Sequence, residues 1–423
     1  RDCGGRANFK SQISMATSFH FTPSTLHRNC TLYIPNMCDH AHILAAAFQA
    51  FGVDADVLPE SDEESICWGK KYTLGKECYP CILTTGDMVK IIKSKDFNPK
   101  KIAFFMPSGC GPCRFGQYNY RQRLVLKELG YPEIPIYAPN QDENIFRDLG
   151  IVGGNGFVRL AWQGIVAGDI LFKTLCKFRP YEINRGESDK IYQESLRGIY
   201  QVVKEKGDLL GVMKKINKQF QNIPLDRKKK KPKIGIVGEI YIRSNRFSNY
   251  NLIRTLEDLG AEVYLTPTTE WLYYVNYLNQ RRSWGKKSYL EFLSFWIKEK
   301  YQKSDAHSLE CCFADILSNG KEPSTKEILN YASPYLHPSY EGEAILSIGK
   351  SIEFLKNGLK GIINVLPFTC MPGTIATAIL KKVRQDYTGF PCLSIIYDAQ
   401  DDPFLKTKLE AFIYQAQGYG SRE

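Results

Sequence analysis

Thirteen cysteines are spread over 423 residues, and five of them fall at three places where a strand pattern hands over to a helix. Cys78-Tyr-Pro-Cys81 and Cys110-Gly-Pro-Cys113 are C-x-x-C pairs, with Cys81 and Cys110 only 29 positions apart. Cys370-Met-Pro-Gly373 repeats the same punctuation far downstream. Thiolates are soft ligands, so a group of them selects zinc, copper(I) or an iron–sulfur cluster. Two such pairs can also close a four-thiolate zinc site, form a dithiol couple, or simply pack in a core. Zinc ribbons usually sit on hairpin knuckles, whereas these pairs flank a helix and a buried strand. The spacing does not follow the common ferredoxin runs either. Among the four readings the residues favour an iron–sulfur cluster and leave the others open.

The remaining cysteines carry weaker signals. Cys38, in the strand-to-helix stretch Asn36-Met-Cys-Asp-His40, is placed to supply a further ligand. Cys311-Cys312 stands before Phe313, Ile316 and Leu317, which indicates core packing, with Cys312 as a rival ligand. Cys67, Cys176 and Cys392 are expected to be structural, because free cysteine is among the most buried residue types. Cys3 and Cys30 are uninformative. His40, His42 and His337 are isolated and expected to be satisfied structural groups. Glu239, Arg243 and Asn249 form a polar cluster without an evident role.

The elements that must hold these residues alternate between β and α. Strands are expected at Thr31–Pro35, Ala55–Leu58, Ile102–Met106 and Pro135–Ala138. Helices are expected at Ala41–Phe51, Ile82–Ile92 and Phe115–Leu129, on the spacing of apolar residues. A mainly helical segment follows from Leu160 to Lys218. Beyond it come strands at Lys233–Val237, Glu262–Leu265, Gly361–Val365 and Leu393–Tyr397, with helices at Asn251–Leu259, Glu343–Leu355 and Ile375–Val383. Such alternation implies mostly parallel sheets, in an α/β architecture of two Rossmann-like domains plus a helical packing segment. The expected organisation is an N-terminal extension (1–30), a first β/α domain (31–158), a helical segment (159–226), a basic linker (227–233) and a second β/α domain (234–423). In open parallel sheets, ligands gather at the carboxyl ends of strands and at helix N-termini, where free amides suit anionic sulfur.

Composition narrows the function classes. No stretch approaches the roughly 18 unbroken apolar residues of a membrane span. Six of the seven residues from Arg227 to Lys233 are basic, which accounts for part of the formal charge of +11. A solvated linker explains that run better than a nucleic-acid patch, since no zinc-finger, RNA-recognition or homeodomain pattern accompanies it. An odd cysteine count without an apolar leader points to a reducing, cytoplasmic setting. The first residues, Arg1-Asp-Cys-Gly-Gly-Arg, read as a processed end or as part of a longer chain. Gly235-Ile-Val-Gly238 and Gly153-Gly-Asn-Gly156 match neither a dinucleotide fingerprint nor a P-loop, and read as tight turns.

With these motifs in place, the chain resembles the 2-hydroxyacyl-CoA dehydratase component superfamily, in the branch associated with large CoA-enzyme activases and double-cubane cluster proteins. The resemblance rests on GKECYPCILTTGDMVK (Gly75–Lys90), FFMPSGCGPCRFGQYN (Phe104–Asn119), KPKIGIVGEIYIR (Lys231–Arg243), GEAILSIGK (Gly342–Lys350) and PFTCMPGTI (Pro367–Ile375). With their β/α surroundings these segments cover most of Thr31 to Ala416. The resemblance implies an iron–sulfur site in the cleft between stacked domains, with Cys78, Cys113 and Cys370 at the recurring ligand positions. Adding Cys38, Cys81 and Cys110 gives the six thiolates of an [8Fe-9S] double cubane; without them a single [4Fe-4S] cluster remains. It further implies an iron–sulfur oxidoreductase that takes low-potential electrons from an ATP-dependent [4Fe-4S] activator of actin/Hsp70-like fold and reduces a small-molecule substrate at the [8Fe-9S] double cubane. A homodimer is implied as well. The alternatives are a [4Fe-4S] dehydratase-like subunit and a non-catalytic electron-relay or scaffold domain.

Overall fold

The computed structural model describes residues 30–109, 111, 113–141, 145–228, 230–317, 322–400 and 402–419. Two four-stranded sheets, parallel throughout, organise the chain. The first contains β1 (Thr31–Ile34), β2 (Ala55–Val57), β3 (Ile102–Phe105) and β4 (Ile136–Tyr137), in the order β2-β1-β3-β4. The second contains β5 (Lys233–Gly238), β6 (Glu262–Leu265), β7 (Gly361–Pro367) and β8 (Cys392–Tyr397), in the order β6-β5-β7-β8. The α/β expectation therefore holds, and the same winding is used twice.

The strands are apolar because helices cover both faces of each sheet. On one face of the first sheet lies α1 (His40–Ala50), whose Ile43 and Phe48 pack with Leu32 and Phe105. After α2 (Glu63–Tyr72), the other face is covered by α3 (Tyr79–Lys93) and α4 (Tyr118–Glu128), through Met88, Val89 and Val125 against Ile102 and Phe104. Every residue of α3 from Tyr79 to Val89 is buried. Its opposite side explains this, since Tyr79 and Leu83 join the core of the second sheet beside Ile234 and Ile363. A helix buried all round is the joint between the domains.

A helical layer follows, made of α5 (Ile145–Phe178), α6 (Glu187–Lys204) and α7 (Leu209–Gln221), packed on α1. The expected boundary at 158/159 falls within α5, whose break lies earlier. Gly154 has φ of 62° there, a conformation that glycine adopts readily. In the basic run Arg227, Lys228 and Lys230 are exposed, while the Arg227 guanidinium lies 5.1 Å and the Lys231 ammonium 5.8 Å from the Tyr181 ring. Lys229 lies outside the described residues.

In the second domain, α8 (Ile240–Ser244) and α9 (Leu252–Asp258) cover one face. The helices α10 (Thr268–Gly285), α11 (Tyr289–Glu310), α12 (Thr325–Ala332), α13 (Glu343–Lys356) and α14 (Met371–Asp386) follow, and α15 (Leu405–Gly418) closes the first face. Like α3, α13 is buried almost throughout, from Ala344 to Phe354. Among the described residues no helix is long and apolar enough to cross a membrane.

Candidate functional site

In each sheet the chain winds from its first strand to one side and then crosses back to the other. The loops after β1 and β3, and those after β5 and β7, therefore diverge and leave a crevice at the carboxyl ends. Cys38 follows β1, Cys113 follows β3, Glu239 follows β5 and Cys370 follows β7. Cys78, Cys113 and Cys370 each occupy the residue that caps a helical segment: α3, the 3-10 turn Arg114–Gln117 leading into α4, and α14, respectively. The Cys113 sulfur accepts from the Phe115 N–H, and the Cys370 sulfur from the Gly373 N–H, both at 3.4 Å. The buried Tyr118 hydroxyl meets the Cys78 sulfur.

These three thiols act on one another. Burial raises the Cys78 pKa, with Glu239 adding to the shift while Tyr118 and Arg114 oppose it. Burial pushes Cys113 up to about 12, helped by Glu343, Glu239 and Cys78. Burial likewise raises Cys370, with Glu343, Glu239 and Cys113 adding to it. Five segments from two domains thus bring three thiols and two carboxyls into one electrostatic neighbourhood. Without a cation the thiols stay protonated; as thiolates they require one.

The carboxyls are built in from the backbone. Gly238 has φ of +111°, and a Cβ there would lie 2.0 Å from the Val365 carbonyl oxygen, so only glycine lets β5 run against β7 to its end. Glu239 then caps α8, accepting from the Tyr241 and Ile242 N–H groups at 3.2 and 2.8 Å. The Ile240 N–H donates to Glu343 Oε1 at 2.9 Å. Burial raises both carboxyls, and the Glu239 charge drives Glu343 further above its ordinary range. Arg243 is buried beside them, with Nη1 donating to the Gly238 carbonyl and Nε unpaired.

Arg114 crosses the crevice. It donates to the carbonyl of Lys76, two residues before Cys78, and to the carbonyl and hydroxyl of Thr369, immediately before Cys370. Thr369 has φ of +64°, where a β-branched residue is strained. One guanidinium next to Cys113 thereby ties down the loops of the other two thiols.

The other expected ligands stand differently. Cys81 is buried beside Cys78, and burial raises its pKa, with Cys78 and Glu77 adding to the shift. Cys110 lies outside the described residues. The Cys38 sulfur lies 3.3 Å from His40 Nδ1, and His40 Nε2 lies 3.0 Å from Asp169 Oδ1. Burial alone would lower the His40 pKa, but Cys38 and Asp169 on either side hold it well above its ordinary value. Cys312, the rival ligand, packs against the helical layer, with Lys214, Cys311 and Asp208 around it. Its partner Cys311 is exposed, contrary to the core expectation for the pair. Cys67 is exposed too, because α2 turns that position outward; Cys176 is buried and Cys392 half-buried. Asn249 serves the backbone, donating to the Ile242 carbonyl and accepting from the Leu252 N–H.

Sequence reasoning missed Tyr118, Arg114, Thr369, Glu343 and Asp169. Arg114 adjoins Cys113, and Glu343 opens a helix after Gly342, so position was a signal for both. Asp169 and Thr369 gave none. Among the described residues, no group of three or more His, Cys, Asp or Glu side chains is arranged to hold a metal ion. Cluster thiolates bind separate irons and so stand further apart than ligands of a single ion. The chain matches no protein-family model and no curated protein.

The buried acids give a pH signature in metal-free protein. Unfolded, Glu343 releases its proton near its ordinary 4.5; folded, it keeps it to higher pH. At this group the native state then binds more protons, so its contribution to stability falls as pH rises above 4.5. Glu343→Gln should flatten this fall by up to about 1.4 kcal/mol per pH unit in urea titrations between pH 4.5 and 7. Parallel stability curves for the variant and the parent would contradict the assignment.

Proposed function

We propose that Cys78, Cys113 and Cys370 hold a [4Fe-4S] cluster in the crevice, and that the chain is the electron-accepting component of a reductive enzyme. The supporting observation is the convergence of three thiols, Cys78 and Cys370 buried and Cys113 half-buried, none in a disulfide, from helix N-termini in two domains. The donor set fits such a group: soft sulfur, backbone N–H groups aimed at it, and anionic charge that awaits a cationic partner. All eleven described cysteines are free, in keeping with a reducing, cytoplasmic setting. An ATP-dependent [4Fe-4S] activator of actin/Hsp70-like fold is the proposed electron donor, and a small molecule the acceptor.

A cluster bound there would supply one-electron chemistry at low potential. The chain's own residues do the rest. Tyr118 O–H, Phe115 N–H and Gly373 N–H donate toward the three sulfurs, which withdraws charge and sets the potential. Glu343 holds a proton beside them: its Oε1 accepts from Ile240, which leaves Oε2 to carry it. Arg243 offsets the charge of the carboxyl pair, and Arg114 fixes the spacing of the three loops.

A second reading, the [8Fe-9S] double cubane, is favoured by one observation, the burial of Cys81 beside Cys78. It would draw Cys38, Cys81 and Cys110 into the ligand set. Iron and sulfide analysis of anaerobically purified protein separates the readings. The first expects about four irons per chain, lost in Cys113→Ser and Cys370→Ser and kept in Cys81→Ser; the second expects about eight, falling to about four in Cys81→Ser. Zinc without sulfide would contradict both.

Arg114 provides a second test. Its side chain is exposed, so Arg114→Ala should leave circular dichroism unchanged while cluster retention on desalting weakens about tenfold or more. Full iron retention in that variant would remove its positioning role.

A further inference from the structure

The exposed large apolar side chains are unevenly placed, and one group of them lies on the hairpin of α10 and α11. Tyr289, Leu290, Leu293, Trp296, Ile297 and Tyr301 line the outward side of α11. Trp284, exposed at the end of α10, packs edge-on against Tyr289 and Phe292 and extends the strip to the hairpin tip. The inward side of α11 is held separately. Phe295, Ala306 and Leu309 are buried, Arg159 pairs with Asp305 at 2.7 Å, and Trp162 Nε1 donates to the Gln302 carbonyl at 3.0 Å. The strip is therefore a second apolar face on a helix already anchored by its first. At roughly 150–250 Å² per aromatic side chain and less per aliphatic one, the exposed fractions amount to roughly 800 Å². The largest patch on a monomeric protein is usually about 300–600 Å², so this one is an interaction surface.

Its charge says what covers it. From Arg281 to Lys303 the chain has seven basic residues and two acidic ones. Arg282 is paired with Glu341 and Lys303 with Glu299, which leaves the excess on Arg281, Lys286, Lys287, Lys298 and Lys300. Lys286 and Lys287 are exposed at the tip, between Trp284 and Leu290. Lys300, seven residues after Leu293, stands within the strip, its ammonium 5.2 Å from the Trp296 ring. A protein interface is depleted of lysine at its core. A bilayer surface accommodates lysine there, because the aliphatic stem lies along the acyl boundary while the ammonium reaches the phosphates. Trp and Tyr, which make up four of the seven apolar residues, settle at the level of the headgroups.

We propose that the α10–α11 hairpin is a peripheral docking surface for an anionic phospholipid bilayer. Trp284, Leu290 and Leu293 enter the headgroup region, and Lys286, Lys287 and Lys300 meet the phosphates. This does not depend on the cluster reading, so the protein can be tested with or without metal. The full chain should co-sediment with vesicles of equal parts phosphatidylserine and phosphatidylcholine, and bind about tenfold or more weakly to phosphatidylcholine alone. Leu290→Asp should weaken binding about tenfold, as should Lys286→Glu combined with Lys287→Glu, all with unchanged circular dichroism. Leu290 is 84% exposed, so its replacement isolates docking from folding. Lys228→Glu combined with Lys230→Glu, at exposed positions of the basic run, should leave binding intact, as should Tyr414→Asp on α15. Absence of co-sedimentation, or binding undiminished in the hairpin variants, would overturn the proposal. So would an equal loss in the basic-run variant, which would mark the binding as attraction to net charge alone. A dimer that Leu290→Asp abolishes, in protein that ignores the vesicles, would assign the strip to a second copy instead.

Discussion

Negative charge buried among helix N-termini is the constraint on which the rest of this structure depends. Three sulfurs and two carboxyls share a crevice, Cys78 and Cys370 buried and Cys113, Glu239 and Glu343 half-buried, and desolvation pushes all five toward their neutral forms. Backbone N–H groups from helix starts partly offset this, as do Arg243 and Tyr118. A polypeptide tolerates such a concentration when a cation or a shared proton is expected there. Glu343 answers with a proton. The sulfurs answer with their own protons, or with metal.

Two buried helices make the constraint possible. α3 is covered by both sheets, so Cys78 is held by two cores at once. α13, buried within the core of the second domain, delivers Glu343. Arg114 complements these rigid elements by joining the loops, and the strained Thr369 backbone is the counterpart of that grip.

Much of this was legible in the sequence. Strands such as Lys233–Gly238 and Gly361–Pro367 are short apolar runs, and proline or glycine beside Cys78, Cys113 and Cys370 marked each as lying next to a helix start, although α3 begins at Tyr79 and takes in Cys81 instead of beginning at Ile82. What was not legible is long-range. Arg114 and Thr369 meet across 255 residues of sequence, and nothing local announces either. Glu239 read only as part of a polar cluster, because its partner Glu343 belongs to a different strand–helix unit. The helices α10, α11 and α12 were not anticipated. α11 carries apolar residues on opposite faces, so the 3.6-residue period that marks a one-sided helix cancels. Cys67 was misplaced for the converse reason, since a thiol alone does not tell which face of an amphipathic helix it occupies.

The central claim is that three thiols from two domains serve one inorganic centre. Anomalous diffraction at the iron edge, from crystals of anaerobically purified protein, tests it most directly. The account predicts one anomalous peak cluster bounded by the sulfurs of Cys78, Cys113 and Cys370, beside Glu239 and Glu343. Iron bound elsewhere, or a peak at the zinc edge in that crevice, would contradict it.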